Sequence, residues 1–177
     1  MAFNERFSED EELLLSSIPH MIGTTVAFSE SSGIFGTLKE MWACGKNSIE
    51  GLKQYPNNEI ITGVLPNIEE RKESLEKAKE IRTKSKARLE EKGVKSKEEF
   101  VQLLIDDCKE VSSLLASKAS ADEAQEYKDW AMSLAENVAK ASKEGGFLGF
   151  GGTQISDGEK QTIANIASAL GASNPIA

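Results

Sequence analysis

The stretch Ser96-Lys97-Glu98-Glu99-Phe100-Val101-Gln102-Leu103-Leu104-Ile105-Asp106-Asp107-Cys108-Lys109-Glu110-Val111-Ser112-Ser113-Leu114-Leu115 decides the fold class. Ser96 and Glu99 have the spacing of a capping box, in which the hydroxyl accepts from the N3 amide and the carboxylate reaches back to the N-cap amide. Phe100, Leu104, Cys108, Val111 and Leu115 then recur at steps of three and four, so one face of a helix is apolar almost without interruption. The same grammar recurs along the chain. Ser8 with Glu11, Thr37 with Glu40, Ser120 with Glu123 and Ser156 with Glu159 repeat the box, and Asn67 with Glu70 is a looser version behind Pro66.

Each box precedes an apolar stripe at helical spacing. The first stripe is Leu14, Ile18, Met21, Ile22, Thr25 and Val26, and Pro19 inside it is expected to kink the helix. Leu38, Met41, Trp42, Ile49 and Leu52 form the second, weakened by Gly45 and Gly51. Between Pro56 and Pro66, Ile60, Ile61, Val64 and Leu65 make a piece of about two turns. A charged helical segment at about 67–95 follows, thin in apolar residues (Ile68, Leu75, Ala78, Ile81, Leu89), with Gly93 as its C-terminal cap. Tyr127, Trp130, Leu134, Val138 and Ala141 mark the fifth main helix, and Ile163, Ile166, Ala167 and Leu170, closed by Gly171, the sixth. No segment alternates with period two. The sequence predicts an all-α, single-domain bundle of about six main helices over 1–177.

Composition narrows the function classes. With 177 residues, 39% of them hydrophobic, the chain has enough apolar surface for one core. Its 21 basic and 29 acidic residues give a net charge of -8, which repels polyanions and speaks against nucleic acid as a partner. The N-terminus is acidic and no apolar run approaches the ~18–20 residues of a membrane span, so a cytoplasmic location is expected. Cys44 and Cys108 are expected to be plain buried thiols.

His20 is the single histidine, which is too few for a carboxylate-bridged di-iron bundle or a zinc site of His and Cys. Nothing around Ser16, Ser17 or Cys44 has the form of a nucleophile elbow or a catalytic cysteine. There is no phosphate-binding G-x-x-x-x-G-K-[ST]. The reading is of a protein that is not an enzyme and needs no cofactor.

Charge is also unevenly placed. Between Glu69 and Glu99 stand 11 basic and 9 acidic residues, which leaves 10 basic and 20 acidic for the rest of the chain. Arg82, Lys84, Lys86 and Arg88 gather on two adjoining faces. One reading is a solvated helix crossing the outside of the bundle. The other makes Arg82 and Lys86 part of a docking patch for an acidic partner or lipid headgroups.

Two corners share a pattern: a long helix, then glycine, a large apolar residue, glycine, and a capping box. They are Ser32-Gly33-Ile34-Phe35-Gly36 before Thr37, and Gly145-Gly146-Phe147-Leu148-Gly149-Phe150-Gly151-Gly152 before Ser156. Glycine permits positive φ and close chain approach there, while the apolar side chains need burial. Phe35, Phe147, Leu148 and Phe150 either plug the ends of the bundle or insert into a partner groove or membrane surface. A phosphate cradle at the last helix start is a third reading, opposed by Asp157 and Glu159 in the same field.

The run Gly151-Gly152-Thr153-Gln154-Ile155-Ser156-Asp157-Gly158-Glu159, continued by Ile163, Ile166, Ala167 and Leu170-Gly171, resembles the TerB-like (tellurite-resistance) family. That family repeats a helix, then Asp-Gly-x-Ile-Ser-x-x-Glu, then a helix of the form Ile-x-x-Ile-Ala-x-x-Leu-Gly, in two pseudo-symmetric halves. Ser32-Gly33 through Thr37 and Glu40 looks like a degraded second copy. The resemblance implies an all-helical bundle, a bacterial cytoplasm and a loose link to tellurite or other stress. It also implies metal binding by acidic corner residues in some members. Here Gly151 and Ser32 stand where the acids would be, and hard cations need several charged oxygen ligands. Asp157 and Glu159 remain as metal candidates, with Asp106, Asp107 or Glu110 as further carboxylates. The leading expectation is a non-enzymatic adaptor or stress-associated interaction protein that binds another protein. A divalent-metal-binding protein and a peripheral membrane protein are the alternatives.

Overall fold

The computed structural model describes residues 3–27, 51–65, 71–143 and 157–175. Its helices are α1 (Phe3–Arg6), α2 (Glu9–Ala27), α3 (Glu59–Val64), α4 (Arg71–Glu91), α5 (Lys97–Lys118), α6 (Ala121–Lys143) and α7 (Asp157–Leu170). Residues 51–54 are also helical, and no strand occurs among the described residues. The fold is all-α.

Helix ends form where the local chemistry requires them. At Ser96 the hydroxyl accepts from Glu99 N at 3.1 Å and the Glu99 carboxylate accepts from Ser96 N at 3.0 Å. The Ser8–Glu11 and Ser120–Glu123 boxes close in the same way. The Thr37–Glu40 and Asn67–Glu70 boxes, Ser156 and the Glu159 side chain lie outside the described residues. At the other ends, Gly93 (φ 70°) and Gly171 (φ 68°) adopt the left-handed conformation. Val94 N then donates to Leu89 O and Ala172 N to Ala167 O, the six-to-one closure that satisfies the last carbonyls.

α2 is the axis of the bundle. Every residue from Leu14 to Val26 except His20 is buried, because α6, α5 and α4 pack along it and α3 and α7 touch it as well. A helix enclosed in this way must satisfy its own polar side chains. Ser17, Thr24 and Thr25 do so by donating to the carbonyls of Leu13, His20 and Met21 one turn back, at 2.6, 2.8 and 2.9 Å. α5 in turn lies along α7, and the stripe Phe100, Leu104, Cys108, Val111 and Leu115 is buried in the shared core.

Pro19 lies inside α2, which is continuous from Glu9 to Ala27 rather than divided in two. The proline has no N–H to give the carbonyl of Leu15 one turn back. The Tyr127 hydroxyl of α6, fully buried, donates to that carbonyl at 2.6 Å. A neighbouring helix therefore makes the bond that the proline cannot.

Gly51, read from sequence as a weakness in a helix, has a packing reason. A Cβ there would collide with the Trp130 indole, which lies directly on the glycine backbone. Gly51→Ala is expected to lower stability in urea by about 1–2 kcal/mol, overpacking outweighing the gain in helix propensity.

α4 lies on the outside of the bundle. Its exposed residues include Lys79, Glu80, Arg82, Lys84 and Lys86, while Ile81, Ser85, Arg88 and Leu89 turn toward the body. Leu89 packs on the core and the Ser85 hydroxyl meets the Ser17 hydroxyl of α2 at 2.9 Å.

Candidate functional site

A dense set of polar contacts lies at the corner where α1, α3, the end of α5 and the start of α6 meet. The Arg6 guanidinium donates to both Glu123 oxygens at 2.9 and 3.2 Å, to the Lys118 carbonyl at 2.8 Å and to Glu59 at 3.4 Å. Glu123 is at the same time the reciprocal partner of Ser120 in the α6 capping box. The Asn58 side chain caps α3 by accepting from the amides of Ile60 and Ile61, and its NH2 donates to Glu123 O and Glu126 Oε2. Lys118 Nζ reaches the Glu11 carboxylate at 2.7 Å. Phe7, 4% exposed, lies beneath both cations, 5.4 Å from the Arg6 guanidinium and 5.7 Å from Lys118 Nζ.

These pairs fix protonation states. Hydrogen bonds from Arg6 hold the Glu123 carboxyl down to about 2, from an ordinary 4.5. Lys118 and the Ser8 amide lower Glu11 as well. A carboxylate held ionised so firmly is a poor proton donor or acceptor near neutral pH; its work is cohesion. The sign of the pH effect follows from linkage. Glu123 contributes stability that is complete above about pH 4.5 and is lost as pH falls toward 2. Arg6→Gln is expected to flatten that part of the stability–pH curve, read by urea unfolding at stepped pH.

A second pair joins α4 to α5. Arg88 donates both terminal nitrogens to the two Asp107 oxygens at 2.6 Å each, and the Asp107 side chain is 3% exposed. Next to it, burial first and the Asp107 charge second push the Cys108 thiol up to about 12, so it stays protonated and unreactive. Burial also raises the Tyr127 hydroxyl well above its usual range. Desolvation within the bundle pushes the half-buried His20 imidazole below its ordinary value, which favours the neutral form.

Phe35, Phe147, Leu148 and Phe150 lie outside the described residues, as does Cys44. Arg82 and Lys86 are exposed on α4, with Lys86 Nζ 3.6 Å from Glu90. The four-residue basic patch is divided in the structure: Lys84 pairs with Glu80 at 2.8 Å and Arg88 turns inward to Asp107. Asp157 is fully exposed at the start of α7, 3.3 Å from Lys160, and the Glu159 side chain lies outside the described residues. Asp106 is taken up by Lys109 and Gln102, and Asp107 by Arg88. Among the described residues, no group of three or more His, Cys, Asp or Glu is arranged to hold a metal ion. No helix among them is long and apolar enough to cross a membrane.

Arg6 and Asn58 were not singled out from the sequence, and Tyr127 was read only as part of an apolar stripe, without its hydroxyl's role. Two signals pointed toward them: Phe3 and Phe7 stand four apart around Arg6, and a proline inside a helix requires another donor for the carbonyl one turn back. No family model matches the chain, and no significant match is found among curated proteins or solved structures.

Proposed function

We propose that this chain is a non-enzymatic helical adaptor of TerB-like type, binding another protein in the bacterial cytoplasm without a cofactor or nucleic acid. One observation carries the reading: the strongly perturbed ionisable groups of the described residues are engaged in joining helices or sit sealed in the core. Glu123 is held by Arg6, and Cys108 and Tyr127 are enclosed. Perturbed groups gather at active sites when chemistry needs them, but inter-helix pairs perturb them equally well. The partner-binding candidates are Phe35, Phe147, Leu148 and Phe150 at the glycine corners, with Arg82 and Lys86 on the outer face of α4.

A panel of hydrolase, transferase and oxidoreductase substrates tests the non-enzymatic part. The expected result is no turnover attributable to the chain. A turnover that disappears in His20→Ala would contradict it.

A further inference from the structure

The corner around Arg6 has the build of a recognition site as well as a joint. Three separate elements present acceptors to one guanidinium: Glu59 on α3, the Lys118 carbonyl at the end of α5, and Glu123 on α6. Beside them Gly63 of α3 offers bare backbone, and a Cβ there would strike the Phe3 ring. Phe3 and Phe7 lie 5.1 Å apart between ring centres, tilted by 45° to one another, so residues 3–7 present two aromatic rings and one cation to a surface that meets all three. The segment itself is slight. α1 has four residues, and its closing bond runs from Phe7 N to Phe3 O. α2 does not depend on it, because the Ser8–Glu11 box starts that helix on its own.

The geometry points to a peptide-binding seat at this corner, occupied in cis by residues 3–7 and suited in trans to a partner segment of the pattern Phe-x-x-Arg-Phe. The chemistry of the occupant is read from the cis contacts: an aromatic ring over Gly63, a guanidinium for Glu59 and Glu123, and a second ring beneath Lys118. Tethering raises the local concentration of the cis segment to about the millimolar range, so a trans segment competes only when it carries the full pattern. The inference rests on the adaptor reading in taking the occupant to be a protein segment. Its test uses neither glycine corner, so a failed seat leaves that reading to its own experiments.

The test is fluorescence polarisation with a labelled peptide of residues 1–9, titrated with the full chain and with the full chain carrying Phe3→Ser and Arg6→Gln. The double variant, checked for helix content by circular dichroism, is expected to bind saturably and roughly tenfold more tightly than the parent, whose seat is filled. A peptide bearing Arg6→Gln is expected to bind about tenfold more weakly, through loss of the charged hydrogen bonds. Equal binding to parent and variant, or no saturable binding at millimolar protein, overturns the proposal. Should the double variant fail to fold, hydrogen exchange of the parent decides. The Phe7 amide must then exchange by local opening, about tenfold or more faster than the core amides of α5. Exchange of Phe7 only with global unfolding overturns it.

Discussion

Arg88→Met is expected to cost the folded chain about 3 kcal/mol, because it leaves the Asp107 carboxylate buried with its partner gone. The figure is at the lower end for a broken buried pair, since 26% of the Arg88 side chain reaches solvent while Asp107 is 3% exposed. For a chain of this size the loss corresponds to a fall of about 6–12 °C in melting midpoint. The control is the double variant Arg88→Met with Asp107→Leu. Replacing both charges by apolar groups removes the desolvation penalty along with the attraction, so most of the stability returns. α4 would remain in place through Leu89 and the Ser17–Ser85 contact. A single variant that unfolds within 0.5 kcal/mol of the parent, roughly the size of a surface effect, would show the pair to be a bystander.

Tyr127→Phe is expected to cost about 2 kcal/mol, although it removes one oxygen. The Leu15 carbonyl would be left in the core without a donor, and an unmet buried acceptor costs about 1–3 kcal/mol. The explanation ties this loss to Pro19. In a Pro19→Ala background the new amide supplies the helical bond to Leu15, and the cost of Tyr127→Phe falls below about 1 kcal/mol. The coupling between the two sites is then about 1 kcal/mol or more, measured by a double-mutant cycle in urea. Equal costs in both backgrounds would mean that the tyrosine is not standing in for the missing amide.

Much of the helical framework was legible because its signals are local. The boxes at Ser8, Ser96 and Ser120, the stripe from Phe100 to Leu115 and the glycine closures at Gly93 and Gly171 each lie within a few residues of the groups they satisfy. The joints between helices were not legible, because they link distant positions. Arg6 meets Glu123 across 117 residues and Tyr127 meets Leu15 across 112. Asn58 escaped a search for capping boxes because Ile61, not a glutamate, stands three residues on. Arg88 and Arg82 look alike as charges on one helix. Only the depth of Asp107 on α5 separates a structural cation from an exposed one. Of the candidate site, Arg82 and Lys86 are exposed on α4, and the phenylalanines of the glycine corners lie beyond the described residues.

That the polar residues hold the bundle together while the work of the chain is binding comes down to one measurement: quantitative affinity capture with the tagged chain beside its Phe147→Ser, Phe150→Ser variant, both shown to keep their helix content. The proposed adaptor retains a protein partner in near-stoichiometric amount, and the variant loses it. Identical capture by both chains, or an activity that purifies with the protein and vanishes in His20→Ala, would contradict the account.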